Sequence, residues 1–274
     1  MATILSGIPL RDKIKDKLKN MVSFIPWENM PELAIIQVGE DEASSSYIKG
    51  KIKFGEEIGV TVNLHKLEEN VSEEDLIDLI LRLNIEPRTE GIIIQLPLPK
   101  HVDSKKVLLM VDPLKDVDGF HPMSGVMPAT TRGIISLLDF NEILLKGKRV
   151  LIIGRSDLVG KPTALALLDR DATITIAHHL SQDLQKLCKE TDIIISATGV
   201  PGLITKDHVK AGQVVIDVGI TRLNGKLVGD VLYDEVFEIV EAITPVPGGV
   251  GPLTTASLFQ NLLRKYNDDT NKNY

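Results

Sequence analysis

The sequence predicts an α/β fold of two domains, and three observations carry that reading. Short Val/Ile-rich runs, apolar on successive residues, alternate with longer amphipathic stretches. Continuous apolar runs suit parallel strands covered on both faces, and strand–helix alternation implies parallel sheets. An aperiodic segment at 112–128, rich in Asp, Gly, Pro and Met, separates a first series of strand–helix units from a second. At 274 residues the chain is long enough for two domains or one large one.

In chain order, the first series places strands at 33–38, 60–64 and 91–95, with helices at 42–58 and 73–84 between them. The segment 112–128 reads as a long ordered loop. A helix at 132–145 leads to a strand at 149–153, a helix at 159–169 and a strand at 173–177. A helix at 181–190, strands at 192–196 and 214–218 and a helix at 233–240 follow. The second series ends in a stretch at 244–254 with three Pro and three Gly, a bias typical of functional loops. A closing helix at 255–265 is expected to return to the first domain. The expected division is therefore 1–131 plus 251–274 against 132–250.

Composition narrows the function. Hydrophobic residues make up 43% and charged residues 25%, which is ordinary globular usage. Lys plus Arg total 31 against 38 Asp plus Glu, a net charge of −7 that argues against nucleic acid as a partner. The single cysteine, Cys188, has no partner for an internal disulfide, which suits a reducing compartment. No apolar run approaches the ~18 residues of a membrane span. The first ten residues carry no basic leader, so no membrane association and a cytoplasmic location are expected.

The strand at 150–153 runs into Gly154-Arg-Ser-Asp-Leu-Val-Gly160-Lys-Pro162, followed by a helix. Glycine there lets backbone amides approach a phosphate, and a helix N-terminus adds unpaired N–H donors and a favourable dipole. The spacing is not G-x-G-x-x-G, and it fails as an ATP-type phosphate loop because five residues separate the glycines and Pro162 follows Lys161. The pattern fits dinucleotide binding or a tight turn in any doubly wound sheet. The next strand ends Thr175-Ile-Ala-His-His179, without the carboxylate that grips the ribose 2′-hydroxyl of NAD. Arg155 can pair with a 2′-phosphate, which favours NADP; the alternative is that Arg155 and both histidines are solvated turn residues. Tyr47 and Lys51 are four apart and share a helix face. A Tyr-x-x-x-Lys pair is also a short-chain dehydrogenase signature, but there it follows the nucleotide fingerprint, whereas here it precedes it. No metal site is expected: Asp116-Val-Asp118-Gly119 opens like a calcium loop, but Met127 stands where the terminal Glu is required.

Six segments together resemble one family, the bifunctional methylenetetrahydrofolate dehydrogenase/methenyltetrahydrofolate cyclohydrolases of FolD type. They are Tyr47-Ile-Lys-Gly-Lys51, Gly91-Ile-Ile-Ile-Gln-Leu-Pro-Leu-Pro99, Lys115-Asp-Val-Asp-Gly-Phe-His-Pro122, Gly154-Arg-Ser156 with Val159-Gly-Lys-Pro162, Gly229-Asp-Val231 and the stretch at 244–254. They occur in the family's order over nearly the whole chain. The resemblance implies two α/β domains with a cleft between them: a folate-binding catalytic domain and a Rossmann-like, doubly wound NADP-binding domain. It implies oxidation of 5,10-methylenetetrahydrofolate by NADP, then hydrolysis of the methenyl cation to 10-formyltetrahydrofolate, in one-carbon metabolism and purine biosynthesis. It also implies a homodimer built through the dinucleotide domain. Rival readings are a dehydrogenase-only or NAD-dependent member and a non-catalytic nucleotide-binding regulatory module; intact Lys51, Gln95 and Asp118 argue against the last.

By the same resemblance, Tyr47 packs on the folate ring system, Lys51 is the central catalytic group, Gln95 contacts that lysine and Asp118 holds the pterin. Pro245 and Gly249 line the folate site. Gly154, Arg155, Ser156 and Ile220 fall at cofactor-binding positions. Hydride loss leaves positive charge on the folate, so a neutral Lys51 amine, tuned by burial and Gln95, suits the chemistry better than an ammonium. Three departures stand out. Pro128-Ala-Thr-Thr-Arg-Gly133 lacks the family's cysteine and second proline, with Thr130 or Thr131 expected to cap the following helix. His179 replaces a serine that commonly helps bind the 2′-phosphate; an imidazole can donate a hydrogen bond there, or pair with phosphate when charged. Leu253 replaces a usual Met.

Overall fold

The computed structural model describes residues 1–264. In chain order the elements are β1 (Thr3–Ile4), α1 (Ile8–Val22), β2 (Glu32–Val38), α2 (Glu42–Ile58), β3 (Thr61–Leu67), α3 (Glu73–Ile85), β4 (Thr89–Ile94) and α4 (Ser104–Leu108). Next come α5 (Ala129–Phe140), β5 (Arg149–Ile153), α6 (Gly160–Leu168), β6 (Thr173–Ala177), α7 (Leu184–Lys189), β7 (Ile193–Ser196) and β8 (Val214–Asp217). The chain continues through β9 (Thr221–Leu223), β10 (Lys226–Val228), α8 (Tyr233–Phe237), β11 (Ala242–Ile243) and α9 (Gly251–Leu262). Contacts divide it into two compact units, one of residues 13–129 with the segment from Thr255, the other of residues 1–12 with 130–254.

The first unit is built on a parallel sheet in the order β3-β2-β4. Strands β2 and β4 bury both faces, whereas the edge strand β3 is only partly buried; Ala34, Ile36, Ile92 and Ile94 join Leu76 and Ile80 of α3 in one core cluster. Phe54 of α2 stacks on Phe259 of α9 at a ring-centroid distance of 5.2 Å. Helix α2 has the bounds expected from the sequence, and its caps explain why. The Asp41 carboxylate accepts from Ser44 N at 2.7 Å, and Gly59 closes the helix at φ 88°, in the left-handed region. Helix α3 is capped by Ser72 and carries Glu73, Glu74 and Asp75 in its first turn, where negative charge meets the positive end of the dipole.

The second unit carries a six-stranded parallel sheet in the order β1-β11-β8-β7-β5-β6. Strand order reverses between β5 and β7, so the C-terminal ends of those strands form a topological switch point, where open α/β sheets bind ligands. Leu151, Ile153, Ile194, Val215 and Ile243 form its core with Cys188 and Val236. The fold is the two-domain α/β architecture expected, with a Rossmann-like sheet in the second unit.

Several boundaries differ from the sequence reading. Residues 1–12 group with the second unit instead of the first, because Thr3 and Ile4 of β1 pair with Ala242 and Ile243 of β11. Helix α5 starts at Ala129, three residues earlier than expected, and ends at Phe140. Thr130 and Thr131 thus lie inside its first turn and do not precede it as caps; Thr131 Oγ1 instead shares a buried 3.1 Å hydrogen bond with Thr163 Oγ1. Helix α7 begins at Leu184, after Asp183 in a left-handed conformation at φ 55°. Lys265, the expected end of the last helix, lies outside the described residues. Among the described residues no helix is long and apolar enough to cross a membrane.

Candidate active site

Helix α2 carries Tyr47 and Lys51 on successive turns of one face. Tyr47 is 40% exposed, whereas Lys51 is buried at 9%. The N-terminal turn of α2 is tied to the sheet by Gln37 Nε2 donating to Ser45 Oγ at 3.1 Å and by Ser44 Oγ donating to Leu96 O at 3.2 Å. Gln95 follows the last residue of β4, and its backbone N–H still pairs with Ile36 O at 2.9 Å. Its side chain therefore leaves the C-terminal edge of the sheet toward α2, and Lys51 Nζ donates to Gln95 Oε1 at 3.0 Å. Gln95 Nε2 is held in turn by Leu96 O at 2.9 Å.

Electrostatics couple this pair to Asp118. Burial lowers the pKa of the Lys51 amine, and the charge of Asp118 opposes that fall. Burial raises the Asp118 carboxyl, Lys51 pulls it back down and neighbouring Asp116 pushes it up. Burial also raises the Tyr47 phenol. Lys51, buried, thus meets half-buried Gln95 and Asp118 in one cluster in which burial favours the neutral amine and the Asp118 charge opposes it.

Gly154, directly after β5, adopts φ 117°, and any Cβ there would strike the backbone carbonyl of Ala197. A Cβ on Gly160, at the start of α6, would strike Gly154 O. Ser156 Oγ accepts from Val159 N at 3.2 Å and Gly160 N at 3.3 Å, which rounds the turn into the helix. A cavity of ≈480 Å³ opens at this switch point, lined by Gly154, Arg155, Ser156 and His179 among others. Lys161 Nζ pairs with Asp157 at 2.6 Å one turn away on the surface. Ile220 is not in the lining of this cavity; its side chain packs near Gly251.

Pro245 and Gly249 belong to this second unit, in a loop so tight that a Cβ on Gly249 would come within 2.7 Å of Pro245 O. Gly7 N donates to Gly248 O at 2.9 Å, anchoring the loop to the N-terminal segment. The structure thus brings Lys51, Gln95 and Asp118 together in one unit and Gly154, Arg155, Ser156 and His179 around one cavity in the other.

Sequence reasoning missed several contributors. His178, Ser181, Ala197 and Thr198 also line the cavity. Asp230, fully buried, accepts at one oxygen from Ser196 Oγ at 2.8 Å, Thr198 N at 2.7 Å and Thr198 Oγ1 at 2.8 Å, so it fixes the cavity wall after β7. The signals were present: a strand running into Ser196-Ala-Thr-Gly199, and the Gly229-Asp-Val231 segment to which no role had been attached.

Comparison with known proteins finds a match for each half of the chain. Residues 5–118 match the family model of the tetrahydrofolate dehydrogenase/cyclohydrolase catalytic domain, and residues 128–270 match that of the family's NAD(P)-binding domain. The bifunctional protein FolD of Aquifex aeolicus is 46% identical over 278 residues, covering 97% of this chain and 96% of the relative. The crystal structure of the bifunctional FolD dehydrogenase/cyclohydrolase from Campylobacter jejuni superposes with a TM-score of 0.94 at 41% identity, over 98% of this chain and 100% of that one. The Trypanosoma brucei FolD structure, complexed with NADP cofactor and an inhibitor, superposes at 0.93 with 32% identity over 98% of each chain. With both halves matched and near-complete coverage at these identities, the chain belongs to the tetrahydrofolate dehydrogenase/cyclohydrolase family.

Proposed function

We propose that the chain oxidises 5,10-methylenetetrahydrofolate with NADP and hydrolyses the resulting 5,10-methenyl cation to 10-formyltetrahydrofolate, at a site organised by Lys51. The observation that carries this reading is the buried Lys51 amine hydrogen-bonded to Gln95 at 3.0 Å. A carbon that becomes cationic on hydride loss is disfavoured beside an ammonium, and burial holds this amine toward its neutral form. The neutral amine takes a proton from the water that adds to the methenyl carbon. It returns that proton to the departing N5 nitrogen as the ring opens, while the second water proton leaves to solvent. Gln95, accepting from Nζ, keeps the lone pair of the amine oriented. Tyr47 offers a half-exposed aromatic face to the folate ring system. The Asp118 carboxyl accepts hydrogen bonds from the N–H-rich edge of the pterin. Pro245 and Gly249 are folate-lining positions on the family resemblance alone.

The second unit has the features a dinucleotide needs: a glycine cradle that a Cβ would fill, a helix N-terminus and a guanidinium beside the cavity. Gly154, Arg155, Ser156, His179 and Ile220 are the residues that would hold NADP, with Arg155 and His179 toward the 2′-phosphate. Bound NADP supplies the hydride acceptor. Homodimerisation through this unit is supported by the edge strand β6, where Ile176 is 39% exposed, and by Leu165 and Leu168 of α6, 63% and 56% exposed. A cytoplasmic location fits the lone, buried Cys188, whose thiol burial pushes up to about 12. Partners are tetrahydrofolate substrates, without nucleic acid or membrane.

The test is a paired absorbance assay with methylenetetrahydrofolate and either NADP or NAD, following reduced cofactor and methenyl intermediate separately. NADP-dependent turnover with little methenyl accumulation is expected. Accumulated methenylfolate leaves only a dehydrogenase, and NAD preference overturns the reading of Arg155 and His179.

A further inference from the structure

The loop that presents Asp118 is organised around a second carboxylate that takes no part in the chemistry described above. Asp116 is 4% exposed. One of its oxygens accepts from Gly119 N at 2.9 Å and the other from His121 N at 2.7 Å, and the backbone N–H groups of Asp118 and Phe120 also bond to it. Its carboxylate is thus encircled by donors from the residues on either side of the Asp118 side chain. The segment is pinned to the sheet by a parallel bridge between Ile92 and Asp116, with Ile92 N donating to Lys115 O at 2.8 Å. From α9, fully buried Asn261 donates through Nδ2 to Val117 O at 2.8 Å and Met127 O at 3.1 Å, closing the two ends of the loop together. Gly119 turns at φ 76°, where a Cβ would come within 2.9 Å of Pro128 Cα.

We propose that Asp116 and Asn261 are positioning residues for folate: Asp116 fixes the backbone that carries Asp118, and Asn261 latches the ends of that loop. A carboxylate suits the first task because neither oxygen is a donor, so both accept from converging backbone N–H groups; an amide in the same place turns a donor toward one set of them. The second task needs two donors to neighbouring carbonyls, which the Asn amide nitrogen supplies. Asp116 also acts through charge. The ionised groups acting on the Asp118 carboxyl are Lys51 from α2 and Asp116 from its own loop, and Asp116 opposes ionisation of Asp118. Asp116 therefore sets both where Asp118 sits and how readily it ionises, whereas Asn261 sets position alone.

This inference rests on Asp118 and Lys51 serving the folate reaction, and the two are separable by experiment. Asp116→Asn is assayed for KM and kcat with methylenetetrahydrofolate across pH, with NADP affinity by fluorescence titration. KM for folate is expected to rise about 10-fold or more, NADP affinity to stay within about 2-fold, and the acid limb of kcat/KM to move to lower pH. Asn261→Ser is expected to raise KM without moving the limb. A folded Asp116→Asn enzyme with unchanged KM and limb overturns the proposal, as does an equal loss of NADP affinity. If Asp116→Asn does not fold, Asn261→Ser decides: a raised folate KM with intact NADP binding upholds the latch, and an unchanged KM overturns it. Failure of the Lys51 reading shows differently, as normal ring hydrolysis by Lys51→Met, whatever Asp116→Asn does to KM.

Discussion

Replacing Gln95 by Leu or by Glu should move the pH dependence of ring hydrolysis in opposite directions. Lys51 Nζ lies 3.0 Å from Gln95 Oε1 and is 9% exposed, so the amide is a principal polar partner of the amine. A hydrogen bond to a charged donor contributes about 1.5–3 kcal/mol, against about 0.5–1.5 for a neutral one. The acceptor therefore favours the ammonium over the amine by roughly 1–1.5 kcal/mol, and each 1.36 kcal/mol corresponds to about one pH unit. Gln95→Leu removes that preference, so the limb governed by amine deprotonation should fall by about one pH unit. Gln95→Glu places a carboxylate beside the amine, which favours the ammonium and should raise the limb by about 1–3 pH units. At pH values on the acid side of both limbs the Glu variant then hydrolyses methenyltetrahydrofolate at least about 10-fold more slowly. The assay is decay of methenyl absorbance from pH 5.5 to 9, with the uncatalysed rate subtracted at each pH. Shifts of both variants in the same direction, or of neither, would refute the reasoning that a tuned amine performs the hydrolysis.

Other consequences follow from the nucleotide unit. Asp217, 3% exposed, accepts from the backbone N–H groups of Gly219, Asp230 and Val231, yet desolvation wins and its carboxyl rises from 3.8 to about 7. The folded chain binds this proton more tightly than the unfolded one, so its stabilising contribution is full below about pH 4 and is lost as pH rises through about 7. That loss is on the order of a few kcal/mol, and Asp217→Asn should flatten it; equal slopes of unfolding free energy for both proteins between pH 4.5 and 8 would contradict this. Gly154→Ala forces a side chain onto φ 117° and into the Ala197 carbonyl, so NADP affinity should fall at least about 10-fold in a fluorescence titration. Ile176→Lys combined with Leu165→Glu should convert the proposed dimer to a monomer in light scattering, because both side chains are exposed at or beside the sheet edge.

Much of the fold was legible because its signals are local. Strand β5 and helix α2 fall at the expected residues, the first a continuous apolar run and the second bounded by Asp41 and Gly59. What escaped is short or depends on distant partners. Strands β1 and β11 are two residues each and exist only because they pair with each other and with β8. Their pairing decides which unit owns residues 1–12, and no local pattern encodes it. Helix α1 was not marked, although Ile14, Leu18 and Met21 recur at helical spacing, because its mean character is charged. At the site, Tyr47 and Lys51 were visible as an i,i+4 pair. The union of Lys51 with Gln95, 44 residues on, comes from the register of β4 beside β2 and was available only through family resemblance. Asp230 was visible only inside a family segment, without a role, and Thr198 not at all, for the same reason: their bonds span 32 positions and define the nucleotide cavity only once β7 and β8 are adjacent.

In the proposed mechanism the Lys51 amine performs the hydrolytic half of the reaction while a separate unit holds NADP. The most direct test of this mechanism is the rate of methenyltetrahydrofolate hydrolysis by Lys51→Met, measured beside NADP affinity in the same preparation. A loss of at least about 100-fold in hydrolysis is expected, with NADP bound as in the unaltered enzyme. Hydrolysis at the unaltered rate, with the folded variant still binding NADP, would contradict the mechanism.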